Sequence, residues 1–159
     1  MRAELETGLK VKALRSNGGG EYTARHVQQF LEDHGIRHKM TTVDTPQYNG
    51  VAEHLNRTLL DKTCAMLSDA NLPKSYWLEA LRYAVVLHNV SPSKSLGTTP
   101  TEEYTGMKPD ISRLRVFGCV AHVHVPKQAR SKLSARSMAC TFLGFAQQCS
   151  AFRLMHRPT

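Results

Sequence analysis

The last 49 residues of this 159-residue chain, 111–159, contain no aspartate or glutamate. The same stretch carries eight cations: Arg113, Arg115, Lys127, Arg130, Lys132, Arg136, Arg153 and Arg157. The whole chain has 21 Lys and Arg against 13 Asp and Glu, so residues 1–110 hold 13 of each sign. The net charge of +8 therefore belongs to the tail alone. That asymmetry argues against one uniform unit and for a basic module with a polyanionic partner. Other shortages exclude whole classes. No apolar run approaches the ~20 residues that span a bilayer, so no membrane partner is expected. The Met-Arg-Ala-Glu-Leu-Glu start lacks the apolar core of a secretory signal. The four cysteines (Cys64, Cys119, Cys140, Cys149) include no C-x-x-C pair. A zinc knuckle or disulfide framework is not indicated, and an intracellular chain with reduced thiols is expected. With 41% hydrophobic residues the composition is globular rather than disordered.

Residues 2–8 read as the end of a helix stopped by Gly8, and Lys10–Ser16 as a strand. Asn17-Gly18-Gly19-Gly20 interrupts regular structure; with no G-K-[ST] after it, this is a turn rather than a phosphate cradle. Thr23 is the expected N-cap of a helix through His34, with Val27, Phe30 and Leu31 on one face and Gly35 at its end. Ile36–Thr42 reads as a second strand and Thr45–Gly50 as a loop. Val51–Ala70 predicts a helix with Ala52, Leu55, Leu59, Met66, Leu67 and Ala70 near one stripe. Pro73 opens another helix through His88, with Trp77, Leu81, Ala84 and Val85 as its buried face. Residues 89–112, rich in Ser, Thr, Pro and Gly, read as a connector. Short strands follow at Leu114–Phe117, Ala121–Val125 and Thr141–Phe145. His122 and His124 alternate on one of them, but two histidines do not define a metal site.

Six segments then resemble a known family. L-R-S-N-G-G-G-E-Y (Leu14–Tyr22) is similar to the L-R-S-D-N-G-G-E-F of copia-type retrotransposon integrases. T-P-Q-Y-N-G-V-A-E-H-L-N-R-T-L (Thr45–Leu59) is similar to their T-P-Q-x-N-G-V-A-E-R-x-N-R-T-L. L-P-K-S-Y-W-L-E-A (Leu72–Ala80), T-P-T-E-E-Y-T-G-M-K-P-D (Thr99–Asp110), L-R-V-F-G-C (Leu114–Cys119) and K-L-S-A-R-S-M-A-C-T-F-L-G-F (Lys132–Phe145) also fit. The resemblance runs in order from about residue 9 to about 153.

It implies an α/β fold: a partial ribonuclease-H-like core, two strands and helices with the first strands missing, followed by a small SH3-like β-barrel segment. The implied division is 1–90 for the core part, 91–112 for a connector and 113–159 for the basic SH3-like module. In such integrases two Asp and one Glu hold two divalent ions, Mg²⁺ or Mn²⁺, and thirty-five residues separate the second Asp from the Glu. The same interval here separates Asn17 from Glu53. Magnesium prefers hard anionic oxygens, and an Asn carbonyl is neutral. The first Asp and the zinc-binding His/Cys module are expected upstream of Met1. Glu53 is thus the one ligand position kept, and autonomous strand transfer is not expected. Without the resemblance, Glu53 reads as a first-turn carboxylate favoured by the helix N-terminus, able to pair with Arg57; Gln47 and Asn56 read as exposed.

Nucleic acid, DNA or RNA, is the implied partner, met by Arg113, Arg115, Lys127, Arg130, Lys132 and Arg136. An unpaired sheet edge at Val11–Ser16 implies self-association. The nucleus is an expected location. Two alternatives stay open: a host-adopted interaction protein or decaying remnant, and a chain that supplies Glu53 within a multi-chain assembly.

Overall fold

The computed structural model describes residues 2–17, 19–40, 50–94, 96–146 and 151–156, which fall into two compact units, Met1–Arg57 and Thr58–Thr159. In the first unit Gly8, at φ 68°, ends helix α1 (Arg2–Thr7) as the sequence predicts. The Glu4 carboxylate accepts a 2.9 Å bond from the Val11 N–H, which holds its pKa below the ordinary carboxylate value. Strand β1 (Ala13–Ser16) then pairs in parallel with β2 (Arg37–Met40), Ala13 opposite Arg37 and Ser16 opposite Met40. Parallel strands need a crossover, and α2 (Gly20–Thr23) with α3 (Arg25–Asp33) supplies it. Strand β1 is shorter than the expected Lys10–Ser16; of the expected Ile36–Thr42, residues 41 and 42 lie outside the described residues.

Thr23 is not the N-cap of α3. It is the last residue of α2, where its hydroxyl donates to the Gly20 carbonyl at 3.3 Å, and Ala24 takes the cap position without a side-chain bond. Leu31 and Ile36 are buried, whereas Phe30 is 42% exposed and stacks on His34 at 4.2 Å. An apolar groove lined by Val11, Leu14, Val27, Phe30, Leu31 and Ile36 opens on this unit. Among the described residues β1 has no partner besides β2.

Helix α4 (Gly50–Asp69) begins in the first unit and ends in the second. Of its predicted stripe Leu67 is buried, Leu55, Leu59, Met66 and Ala70 are half-buried, and Ala52 is exposed. Pro73 precedes a 3₁₀ turn, Lys74–Tyr76, that leads into α5 (Trp77–Val90). The face of α5 matches the expected one at Ala84 and differs elsewhere. Ala80, Tyr83 and Ala84 are buried, while Trp77 is 52% exposed and Val85 38% exposed. The apolar residues nearly encircle this helix, so periodicity alone left its rotation undetermined.

The 89–112 stretch is more than a connector. Helix α6 (Pro100–Thr105) occupies it, with the Thr99 hydroxyl accepting from the Glu102 N–H at 3.1 Å and Gly106 closing it at φ 73°. Thr-x-x-Glu with Pro in the first turn is a helix-start signature that composition had masked.

The second unit's core joins Leu67, Leu72, Ala80, Tyr83, Phe117, Phe142 and Leu143. Its antiparallel sheet is β3 (Val120–His124), β4 (Ser137–Phe145) and β5 (Phe152–His156), in that order, with a bulge between Phe142 and Gly144. The final strand is an addition to the expected set. The expected strand Leu114–Phe117 is absent, and the reason lies in Tyr83. Its hydroxyl donates to the Arg115 carbonyl and accepts from the Arg115 N–H at 3.2 Å, which takes both groups a ladder would use. Burial pushes the Tyr83 phenol above its ordinary pKa.

Gly118, at φ 80°, sits so close to the end of α4 that a Cβ there would lie 2.2 Å from the Ala70 Cβ. Gly118→Ala should cost about 2–4 kcal/mol from combined backbone strain and overpacking. Urea unfolding should show part of that loss recovered in the Gly118→Ala/Ala70→Gly double variant. Equal losses in both backgrounds would show that the contact is not what excludes a side chain.

Candidate functional site

Two groups of residues carry the functional expectation. In the first unit, Asn17 directly follows β1 and Glu53 lies in the first turn of α4. The end of β1 is held by its neighbour: Ser16, 7% exposed, donates to the Asn17 carbonyl at 3.0 Å and bonds His38 Nε2 of β2 at 2.8 Å. The Asn17 side chain is turned to its own loop, with Oδ1 accepting from the Gly19 N–H at 3.4 Å. Glu53 and Arg57 are exposed, and neither forms an ion pair among the described residues. Thr45–Asn49, including Gln47, lies outside the described residues; Asn56 is exposed.

The second group is the tail's cations, and the structure separates them. Arg113 stands 5.3 Å over the Phe152 ring. Arg115 donates from Nη1 to the Ser112 and Leu114 carbonyls at 2.9 and 2.7 Å. Arg153 pairs with Glu79 of α5 at 2.8 Å, an acid 74 residues away in sequence. Arg113 and Arg153 thus reach other elements of the unit, whereas the guanidinium of the exposed Arg115 bonds its own neighbours in the chain. Lys127, Lys132 and Arg136 are exposed, and all lie in the connection between β3 and β4 with Arg130. The Nε of Arg130 is buried and has no hydrogen-bond partner among the described residues. A buried, unsatisfied donor costs about 1–3 kcal/mol, which an anionic acceptor relieves. Leu133, 97% exposed, stands in the same loop, as do the exposed Ser131 and Ser134. In the sequence those three stand out only by their place between cations in a stretch without acids. Arg157 and Cys149 lie outside the described residues.

The family model of the retroviral polymerase SH3-like domain matches residues 119–159, the stretch that holds β3, β4 and β5. Over 95% of its length the chain is 47% identical to the retrovirus-related Pol polyprotein from transposon TNT 1-94 of Nicotiana tabacum. The chain is a homologue of retrotransposon Pol polyproteins. It is also 33% identical, over 94% of its length, to the Pol polyprotein from transposon RE2 of Arabidopsis thaliana. Over 68% of its length it is 36% identical to the transposon Ty1-LR3 Gag-Pol polyprotein of Saccharomyces cerevisiae. The chain spans 11%, 10% and 6% of these relatives. Among solved structures, a chain from the simian T-cell lymphotropic virus intasome in complex with PP2A regulatory subunit B56 gamma shares its fold. The TM-score is 0.54, at 16% identity, over 98% of this chain and 58% of that one. The expected fold class, a partial ribonuclease-H-like α/β part followed by an SH3-like β segment, is borne out.

Within this Pol homologue the residues at positions 17 and 53 do not fit a two-ion centre. Two-ion phosphoryl transfer needs several carboxylate oxygens converging on the cations. The pair offers one carboxylate and one amide, and that amide oxygen is engaged by a backbone N–H. Among the described residues no three His, Cys, Asp or Glu side chains are grouped to hold a metal.

Mn²⁺ titration followed by NMR line broadening tests this. The amides of residues 17 and 53 should broaden no more than those beside other exposed carboxylates such as Asp61. Selective broadening at 17 and 53 together would show a real cation site.

Proposed function

We propose that this chain is an integrase-region homologue that binds nucleic acid through the β3–β4 loop and does not itself catalyse strand transfer. The observation that carries the reading is the loop: Lys127, Lys132 and Arg136 are clustered and exposed, while Arg113 and Arg153 are engaged with Phe152 and Glu79 and the exposed Arg115 bonds neighbouring carbonyls. Cations with no acidic neighbours in sequence meet phosphates without first giving up an ion pair. Contacts of this kind position a backbone and carry no base sequence. Duplex DNA is the proposed partner, with RNA as the second polyanion to compare. The intasome origin of the structural relative supports placing the chain in a DNA-bound assembly, and the nucleus is the proposed location. Self-association through β1 and the adjoining apolar groove is part of the same proposal.

Asn17 is the reason for proposing no strand transfer, since a neutral amide cannot supply the charge that a metal ligand requires. One observation favours a second reading. Glu53 is exposed in the first turn of a long helix and is accessible to another chain. In that reading it completes a metal site in a mixed assembly. Strand-transfer assays in Mg²⁺ or Mn²⁺, alone and with a catalytically intact relative, separate the two. Activity lost on Glu53→Gln would establish the second.

For binding, fluorescence anisotropy with a 30-base-pair duplex over a salt series is the decisive measurement. Replacing Lys127, Arg130, Lys132 and Arg136 by Ala should flatten the slope of log K against log salt by up to about 3.6, at about 0.9 per phosphate contact. Unchanged affinity and slope in that variant would overturn the assignment of the loop.

A further inference from the structure

The β3–β4 loop holds a second chemistry besides its charge. Ser134 is exposed, preceded by the 97% exposed Leu133 and set among Arg130, Lys132 and Arg136. The residues around it form a turn tied by few bonds. The Ser134 N–H donates to the Ser131 carbonyl at 3.2 Å, and the two serine hydroxyls lie 2.5 Å apart. Such a turn opens at a cost of about 1 kcal/mol per exposed hydrogen bond, so the segment can lie extended in another enzyme's cleft. Ser137 is less suited, because it is already in β4 opposite His124. Upstream of Ser131 the chain is wound into the 3₁₀ turn Lys127–Ala129, with the Arg130 N–H returning to the Lys127 carbonyl.

We propose that Ser134 is a phosphate-acceptor site for a protein serine kinase whose substrate groove is acidic, and that its modification weakens the loop's hold on nucleic acid. In the transfer, Ser134 Oγ bonds to the γ-phosphorus of ATP. The bond from that phosphorus to the β,γ-bridging oxygen breaks, ADP leaves, and the hydroxyl proton passes to the kinase's base. The phosphate brings a charge of about −1.5 to −2 at neutral pH and three acceptor oxygens. Four cations stand in the loop, so one phosphate offsets about half of their charge. It also offers acceptors to guanidinium groups in the same loop, including Arg130, whose Nε has no partner among the described residues. The acceptor site stands on exposure and charge alone; the effect on binding rests on the nucleic-acid reading above.

The test is incubation of the full chain with a basic-directed serine kinase and Mg-ATP, followed by tandem mass spectrometry and the duplex-binding series. The expected result is one phosphate on Ser134, lost in Ser134→Ala and kept in Ser131→Ala. Removal of about two phosphate contacts should raise Kd roughly 10- to 100-fold at 0.1 M salt and flatten the salt slope by about 1.8. Phosphate found only elsewhere, or on no residue, overturns the site. Modified and unmodified chains of equal affinity overturn the switch. A chain that takes the phosphate on Ser134 yet binds no duplex in either form keeps the site and overturns the nucleic-acid reading.

Discussion

One phenol organises the second unit. The Tyr83 ring packs edge-on to Phe142 at 5.4 Å and lies near Phe117 and Phe145 at 6.0 and 5.9 Å. Its hydroxyl meanwhile serves both backbone groups of Arg115. A buried polar group must find partners, and Tyr83 finds them in a segment that would otherwise be a strand. The segment before β3 is thereby fixed as an irregular brace, Phe117 enters the core, and Gly118 is drawn against Ala70. What remains free for a partner is the loop on the far side of β3 in the chain.

The contrast between the two groups of functional residues follows from how each chemistry tolerates substitution. A two-ion centre is a convergent arrangement in which each carboxylate is needed, so it tolerates little substitution at a ligand position. Binding to phosphates is additive over many weak contacts. Three of the tail's arginines have been committed to packing and pairing, yet the β3–β4 loop still presents a set of cations. A phosphate-binding surface therefore withstands substitutions that a metal centre does not.

Local signals were legible in the sequence where they were strong. Gly8 and Gly35 do end their helices, and the Val51–Ala70 helix is in place almost to the residue. The parts missed depended on contacts distant in sequence. Leu114–Phe117 looks like a strand until Tyr83, some thirty residues earlier, claims its backbone. Arg153 was one of the tail's eight cations, and nothing near it in sequence announced Glu79. Helix α6 is the reverse case, since Thr99 and Glu102 carried the signal and its Ser- and Gly-rich surroundings hid it. For the candidate site, charge placement identified the loop, but composition could not say which cations the fold would use internally.

Strand β5 gives the second unit a particular order of assembly. It is the last of the sheet's three strands to be made, yet it pairs with all but the start of β4, and it carries both Phe152 for the aromatic cluster and Arg153 for Glu79. On a ribosome, helix α5 and the first two strands emerge with one sheet edge open, and Glu79 has only Arg82 of its own helix to pair with. The growing chain can complete this unit only after residues 152–156 leave the exit tunnel, so closure of the sheet waits for its last strand. Until then the β4 edge is the surface a chaperone would have to shield.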